Sequence, residues 1–273
     1  MKIFKPFILL SCIVATAAVT SCDKNGDFLI FSIQNDIDLG EKVAEQIASD
    51  TSFDILSPEQ YPVSYDYIES MVENILESED ITYKEEFNWR INIINDPADA
   101  PILNAFATPG GQLYVHTGLI YFLDKEDDLA GVIGHEIAHS DQRHGSKQLQ
   151  RQYGISILLS IISGGEASNL AQIAGQIAGT GAVLAFSRDA ESEADDFSVR
   201  YLATTNYACN GAAAFFKKLL DNEAARQPEF LSTHPSPENR VEDINARAAD
   251  LNCDTTIDEN SAQRYVNFRN SLP

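Results

Sequence analysis

Basic side chains are scarce in this sequence. Its 273 residues include 19 lysines and arginines against 41 aspartates and glutamates, which gives a formal net charge of −22. So acidic a surface repels phosphate groups and argues against binding to nucleic acid. The sequence also lacks the glycine-rich loop that cradles nucleotide phosphates, and we therefore predict no nucleic-acid or nucleotide partner.

Long apolar runs are missing as well, and the N-terminal one is too short to cross a membrane comfortably. Residues 6–19 are largely apolar, follow the basic segment MKIFK and precede small residues, as in a secretory signal peptide. A transmembrane anchor is the alternative interpretation. The residues Val19-Thr20-Ser21-Cys22 resemble the lipobox of bacterial lipoproteins.

The lipobox resemblance implies cleavage before Cys22 and attachment of lipid to that cysteine. We therefore expect a signal peptide at residues 1–21, a polar tether at 22–36 and one domain at 37–273. The mature protein would be held by its lipid anchor in the bacterial cell envelope, in the outer membrane or on the periplasmic side of the inner membrane.

Cysteines are few, four in all. Cys12 lies in the expected signal peptide and Cys22 is the expected lipid site, which leaves Cys209 and Cys253. An exported compartment permits a disulfide between these two. Two buried free thiols explain them equally well, so the pairing stays open.

The spacing of apolar residues predicts an α+β fold that is mainly helical. Two amphipathic helices are expected first, at 37–49 and 64–76. Alternation of apolar and polar residues then predicts three short strands, at 89–93, 103–108 and 112–116, with a Pro-Gly-Gly turn between the last two.

Helical spacing dominates the second half of the chain. One helix is expected after Asp124, a residue suited to cap it, and acidic residues fill its first turn. The segment 155–186 is unusually apolar but is interrupted by glycine and glutamine, so we predict two helices packed against the catalytic core; a membrane helix is the alternative. Further helices are predicted at 188–204, 210–225 and 236–249.

The stretch GHEIAHSDQRH, residues 134–144, carries the pattern of a metal site. On a helix, His135 and His139 lie four residues apart and face the same way, so both imidazoles can bind one ion. Glu136 lies beside them, where a carboxylate can act as a general base on water. Two histidines and a glutamate in this order are typical of zinc peptidases.

A catalytic zinc ion needs a third protein ligand and one open position. His144 comes five residues after His139 and points to another side of a continuous helix, so we expect it to be structural. The acidic segment SRDAESEADD, residues 187–196, is the better source. Glu191 and Asp195 share a helix face there, so that one carboxylate could bind the metal and the other could hold a ligand histidine. A solvated helix face is the alternative.

The sequence resembles the M48 zinc metallopeptidases. The similarity rests on HEIAH, on SRDAESEAD, on NAFATPGGQLYVHTGLI at residues 104–120 and on THPSPENR at residues 233–240. It covers most of the expected mature chain, from about 37 to 249. It implies a zincin-like metallopeptidase fold, with a small β-sheet beside the HExxH helix, and one zinc ion per chain.

The M48 resemblance also implies residue roles. His135, His139 and Glu191 match the zinc ligands, and Glu136 matches the general base. Asp195 matches an aspartate that supports the ligands. His234 matches a histidine near the metal that, in some relatives, takes the open position and restrains activity. Arg240 matches a candidate for contact with the substrate or the oxyanion. His116 is expected to be structural or to flank the substrate.

The resulting hypothesis is a membrane-anchored zinc endopeptidase that hydrolyses unfolded or misassembled envelope proteins. An extended substrate could add as a strand along an exposed edge, which we place at 112–116. An envelope chaperone or assembly factor with minor proteolytic activity is the alternative. A structural lipoprotein with a stabilising zinc ion is a third reading, but such a site needs no general base.

Overall fold

The computed structural model describes residues 29–179, 184–221, 229–235, 239–256, 258 and 260–273. The expected signal peptide, Cys22 and the first part of the tether lie outside these residues. The fold is α+β and mainly helical, as predicted. Its helices are α1 (Ile33–Ser49), α2 (Pro62–Leu76), α3 (Thr117–Phe122), α4 (Glu126–Asp141), α5 (His144–Tyr153), α6 (Ile155–Ile162), α7 (Ala167–Ile177), α8 (Arg188–Leu202), α9 (Gly211–Asp221), α10 (Glu229–Thr233), α11 (Arg240–Leu251) and α12 (Ser261–Arg269).

The helix α4, which carries the HEIAH segment, runs through the middle of the domain. All of its residues are buried, whereas a helix at the surface would bury only one apolar stripe. It packs against α8 and α9 most extensively. The expected cap is wrong, since Lys125 is the N-cap and no side chain caps the helix. Three acidic residues do occupy the first turn, where they suit the helix dipole.

Two glycines allow α9 to approach α4 closely. A Cβ atom on Gly131 would lie 2.0 Å from the backbone nitrogen of Ala212, and one on Gly211 would lie 2.0 Å from the carbonyl oxygen of Asp127. Ser198 of α8 donates a hydrogen bond to the Gly131 carbonyl, at 3.0 Å. The three helices therefore form a rigid support beneath the histidines.

A four-stranded sheet lies beside α4. Its strands are β1 (Asp54–Ile55), β2 (Arg90–Asn95), β3 (Ala105–Ala107) and β4 (Gln112–His116), in the order β1-β2-β4-β3. β4 pairs in parallel with β2 and antiparallel with β3, so both of its edges are bonded. The expectation of an exposed edge at 112–116 is therefore wrong, and β3 is the edge strand on that side.

A second apolar cluster joins α1 to the hairpin of α6 and α7. The prediction of two helices in 155–186 is confirmed, although their main helical partner is α1 and not α4. None of the described helices is long and apolar enough to span a membrane. α1 begins at Ile33, where Ser32 accepts a hydrogen bond from the Asn35 amide, so residues 33–36 of the expected tether are helical.

Cys209 and Cys253 are joined by a disulfide in the structure, with their Cα atoms 6.3 Å apart. Cys209 lies just before α9 and Cys253 just after α11. A backbone hydrogen bond of 2.9 Å from the Cys209 amide to the Asp254 carbonyl runs alongside. These links hold α11 against the helices that surround the histidines.

Candidate metal centre

Two imidazoles of α4 point at the same spot, as their spacing predicts. The Nε2 atoms of His135 and His139 are 3.0 Å apart, and both side chains are buried. The histidines belong to adjacent turns of a helix whose position is fixed by its neighbours on every side. Their geometry is therefore set before any ion binds.

α8 brings a carboxylate to the same spot. The helix begins after Ser187, which caps it by accepting a hydrogen bond from the Ala190 amide. Glu191, in the first turn, places Oε1 3.4 Å from Nε2 of His139 and Oε2 3.5 Å from Nε2 of His135. Its side chain is completely buried.

A third imidazole completes the cluster. His234 follows α10 and is buried, with Nδ1 3.0 Å from Oε1 of Glu191 and 3.4 Å from Nε2 of His135. A backbone hydrogen bond of 3.0 Å from the Phe186 amide to the Thr233 carbonyl holds this segment next to the start of α8.

The four side chains are suited to hold a divalent metal ion. One ligand atom from each of His135, His139, Glu191 and His234 lies within 4.8 Å of the others. Around a tetrahedral zinc ion, ligand atoms stand roughly 3.3 Å apart, because each is about 2.0–2.1 Å from the metal. The contacts of 3.0–3.5 Å found here match that spacing.

Glu136 lies next to this cluster without joining it. Its carboxylate is buried, and Oε1 is 3.5 Å from Nε2 of His234. That oxygen has no hydrogen-bond partner among the described residues. Burial raises the pKa of Glu136, so its carboxyl group is a better proton acceptor than an ordinary glutamate.

Asp195 and Arg240 lie behind the ligands. Asp195 Oδ1 is 2.9 Å from Nδ1 of His135, the ring nitrogen that faces away from the cluster. The Arg240 guanidinium contacts Asp195 at 2.7 and 2.8 Å and Glu191 at 3.1 Å. Arg240 is 2 % exposed and stacks 3.5 Å from the ring centroid of Phe216. The guanidinium also contacts the His135 ring, with one terminal nitrogen 3.1 Å from Nε2 and 3.3 Å from Nδ1.

The model of peptidase family M48 matches residues 62–248, which is well over half of the chain. The chain belongs to peptidase family M48. The match spans strands β2, β3 and β4, α4, α8 and most of α11, which include the helices that carry the potential ligands.

Relatives within the M48 family come from bacteria and from mitochondria. The beta-barrel assembly-enhancing protease of Escherichia coli K12 is 35% identical over 159 residues, which are 54% of this chain and 32% of that protein. A putative beta-barrel assembly-enhancing protease of Vibrio cholerae is 36% identical over 160 residues, 54% of this chain and 32% of that one. The mitochondrial metalloendopeptidase OMA1 of Saccharomyces cerevisiae is 28% identical over 232 residues, 80% of this chain and 65% of that protein. The chain thus spans about a third of the length of these bacterial relatives.

Charges around the M48 site suit metal binding. Burial lowers the pKa of His139 well below its usual value, so its ring is neutral and free to bind a metal. Burial acts to raise the pKa of Glu191, but His234, His135 and His139 hold it well below its usual range, which keeps the carboxylate charged. For His135, burial and Arg240 lower the pKa, but hydrogen bonds to Asp195 and Glu191 outweigh them and raise it to about 9, so a metal ion that binds this ring must displace a proton.

A narrow cleft opens beside the M48 site between β3 and the segment before α8. Phe186 stacks on the His139 ring, with centroids 4.1 Å apart, and forms part of the wall. Glu136 and His234 both line the cleft. The other lining residues are Phe106, Ala107, Pro109, Gly145, Ile177, Leu184 and Thr233.

One residue of the site was missed by reasoning from spacing. His144, expected to be structural, lies 2.9 Å from His139, Nδ1 to Nδ1. The reason is that α4 does not continue to residue 144: Arg143 takes a left-handed conformation, with φ of 58°, and His144 begins a new helix. No local signal in the sequence announces this break. His116 lies outside the cluster and pairs with Asp96 at 2.8 Å.

Proposed function

We propose that this chain is a zinc-dependent endopeptidase of the bacterial cell envelope. One observation carries the proposal. Four buried ligand atoms from two helices and one loop converge, and next to them lies a buried carboxylate whose Oε1 accepts no hydrogen bond from the described residues. A purely structural zinc site has no use for such a carboxylate. Membership of the M48 family and the relatives' metalloendopeptidase names support the same conclusion.

His135, His139 and Glu191 would hold the zinc ion. When bound, zinc acidifies water and stabilises negative charge on a peptide carbonyl. Glu136 takes the proton from the attacking water at Oε1 and delivers it to the departing amine. Asp195 fixes the His135 ring through Nδ1, and the contacts of Arg240 support a positioning role for it in preference to contact with the oxyanion.

We propose that the substrate binds as a strand along β3. β3 is an edge strand and Ala107 lines the cleft that contains Glu136. An extended peptide added there would be recognised mainly by its backbone. Recognition of backbone suits unfolded or misassembled proteins, whose extended segments are exposed.

His234 restrains the enzyme in this arrangement. With zinc held by His135, His139 and Glu191, Nδ1 of His234 would supply a fourth ligand, and the histidine would have to move before water or substrate could take its place. The direct test is His234→Ala. Restraint predicts faster cleavage of an unfolded substrate, whereas a catalytic role for His234 predicts slower cleavage.

The proposed location follows from the lipobox and from the relatives. Lipid on Cys22 would tether the domain to a membrane, and Cys22→Ala should release it into a soluble fraction. The name of the bacterial relatives concerns β-barrel assembly, which supports envelope proteins as the substrate class. The alternative is an assembly factor that binds such proteins and cleaves few of them.

The first experiment measures zinc content and cleavage of casein for the mature protein. The wild type should contain about one zinc ion per chain and digest casein. His135→Ala and Glu191→Ala should lose both zinc and activity. Glu126→Gln is a control, because Glu126 is a buried glutamate at the far end of the same helix and should leave zinc content unchanged.

The decisive variant is Glu136→Gln. It should retain zinc and lose cleavage, and casein digestion at the wild-type rate would refute the assigned base. A wild-type protein that carries no zinc after careful handling would remove the whole proposal. If Glu136→Gln replaces the wild type in cells without loss of function, the assembly-factor alternative leads.

A further inference from the structure

His144 forms a chain of contacts that ends on a proposed metal ligand. Its Nδ1 atom is 2.9 Å from Nδ1 of His139, and its Nε2 atom is 3.4 Å from Oε2 of Glu193. The imidazole is 4 % exposed, and its ring centroid lies 4.9 Å from that of His139. Glu193 lies on α8, two residues after Glu191.

The positions of the protons follow from the role of His139. Its Nε2 atom faces the other ligand atoms, so a metal-bound ring carries its proton on Nδ1. That N–H can donate only if Nδ1 of His144 is an acceptor, and the proton of His144 is then on Nε2, facing Glu193. Each N–H thus meets one acceptor, and each ring has one defined tautomer.

We propose that His144, supported by Glu193, is a positioning residue that holds His139 in the tautomer and orientation that bind the metal. The inference rests on the proposed function, since it requires His139 to be a ligand. It gives the second histidine the kind of support that Asp195 gives the first, 2.9 Å from Nδ1 of His135. Both ligand imidazoles of α4 are then fixed from behind.

The backbone is arranged to deliver His144 to this place. In a continuous helix, residues 139 and 144 would diverge around the axis. Arg143 breaks the helix in a left-handed conformation, which is costly for a residue with a side chain. Its guanidinium donates hydrogen bonds to Asp36, at 2.5 Å, and to the Phe31 carbonyl, at 2.6 Å, which hold the break in place.

A histidine that merely fills the core is the competing explanation, and the chain offers a matched example. His116 is 2 % exposed and pairs through Nδ1 with Asp96 at 2.8 Å, as closely as His144 pairs with His139. It does not belong to the cluster of potential ligands. Replacing His116 therefore removes a buried, hydrogen-bonded imidazole without touching a ligand.

The test compares zinc affinity, measured by competition with a chromophoric chelator, among variants of the mature protein. His144→Leu should raise the zinc dissociation constant about 10- to 100-fold, the usual effect of losing such a partner. His144→Gln should restore most of the affinity, because its amide can accept from His139 and donate to Glu193. His116→Leu should leave the dissociation constant unchanged.

Two further readouts separate positioning from packing. In the cobalt(II)-loaded protein, His144→Leu should shift the visible absorption bands, which report the ligand field at His139, whereas His116→Leu should not. Glu193→Ala, a change at a side chain that is 12 % exposed, should weaken zinc binding in the wild type and have no further effect in His144→Leu.

Unchanged zinc affinity in His144→Leu would overturn the inference. So would weaker binding that His144→Gln fails to restore and that leaves the cobalt spectrum as in the wild type, since that is the result of a packing role. Should His144→Leu not fold, Glu193→Ala with unchanged zinc affinity would overturn the inference equally. A wild-type protein that binds no zinc would refute the proposed function itself, so the two failures are distinguishable.

Discussion

Arg240 offers the sharpest test of how the site is held together. Its guanidinium lies between the carboxylates of Asp195 and Glu191, with contacts of 2.7–3.1 Å, and stacks on Phe216. All of these groups are buried, so the positive charge of Arg240 offsets two negative charges that are largely shielded from water. We consider the variant Arg240→Gln, which removes the charge and keeps a polar side chain of moderate length.

Removing one partner of a buried ion pair costs about 3–5 kcal/mol, because the remaining charge is left without compensation. We therefore expect Arg240→Gln to lower the free energy of unfolding by about that amount in the presence of a chelator. The deficit should shrink as the pH falls from 7 to 5. An unpaired buried carboxylate has a raised pKa in the folded state, so folding takes up a proton and stability is gained at lower pH.

The assay is urea unfolding of the metal-free protein, followed by circular dichroism at both pH values. Arg247→Gln is the matched control, since Arg247 lies on the same helix and pairs with Asp196 at 2.5 Å but is 26 % exposed. An ion pair with this degree of exposure contributes about 0–1 kcal/mol to stability. The reasoning fails if Arg240→Gln lowers the free energy of unfolding no more than this control does while the rate of cleavage falls about 10²–10³-fold. A fall of that size is the effect of losing an oxyanion contact. Arg240 would then reach the substrate.

Three other predictions are independent of Arg240. Glu136→Gln should keep its zinc and lose about 10²–10⁴-fold in cleavage rate, as measured on casein, since general-base catalysis contributes that much. Reducing Cys209–Cys253 should lower the free energy of unfolding in urea by about 4 kcal/mol, because the bond closes a loop with a sequence separation of 44; no change would indicate free thiols in the native protein. Burial raises the pKa of Asp128 to about 6. Ionisation of its carboxyl group in the folded protein therefore lowers the free energy of unfolding as the pH rises from about 4 to 6. Asp128→Asn should therefore increase the free energy of unfolding at pH 7 by up to about 3 kcal/mol, seen as a higher urea midpoint, and have little effect at pH 4.

The parts of the site that the sequence predicts are those that one helix determines. His135, Glu136 and His139 lie within five residues, and helical geometry alone places the two imidazoles together. Glu191 and Asp195 have the same advantage within α8, but their distance to α4 is set by packing. The need for a third zinc ligand pointed to α8 but left a solvated helix face as the alternative. Resemblance to the M48 family favoured the ligand, and the family match confirms that resemblance.

Elements set by few local contacts were harder to predict. β1 has two residues and exists through its pairing with β2, so no alternation marks it. The edge of the sheet was misplaced because strand order depends on pairings between distant segments. The sequence of β4 would look the same whether the strand were central or at the edge. The cap at Asp124 was wrong by one residue, a shift that periodicity cannot resolve.

His144 shows most clearly why the rest could not be predicted. Whether it faces His139 depends on the conformation of Arg143, and that conformation depends on Asp36, which is 107 positions earlier in the chain. A left-handed arginine costs of order 1–3 kcal/mol and persists only where other contacts impose it. The hydrogen bonds from Arg143 to Asp36 and to the Phe31 carbonyl supply those contacts, and the residues that accept them lie where α1 begins. The last residues of the expected tether therefore shape the end of the helix that carries the proposed ligands, and they take part in the geometry of the site from a distance that no local pattern reveals.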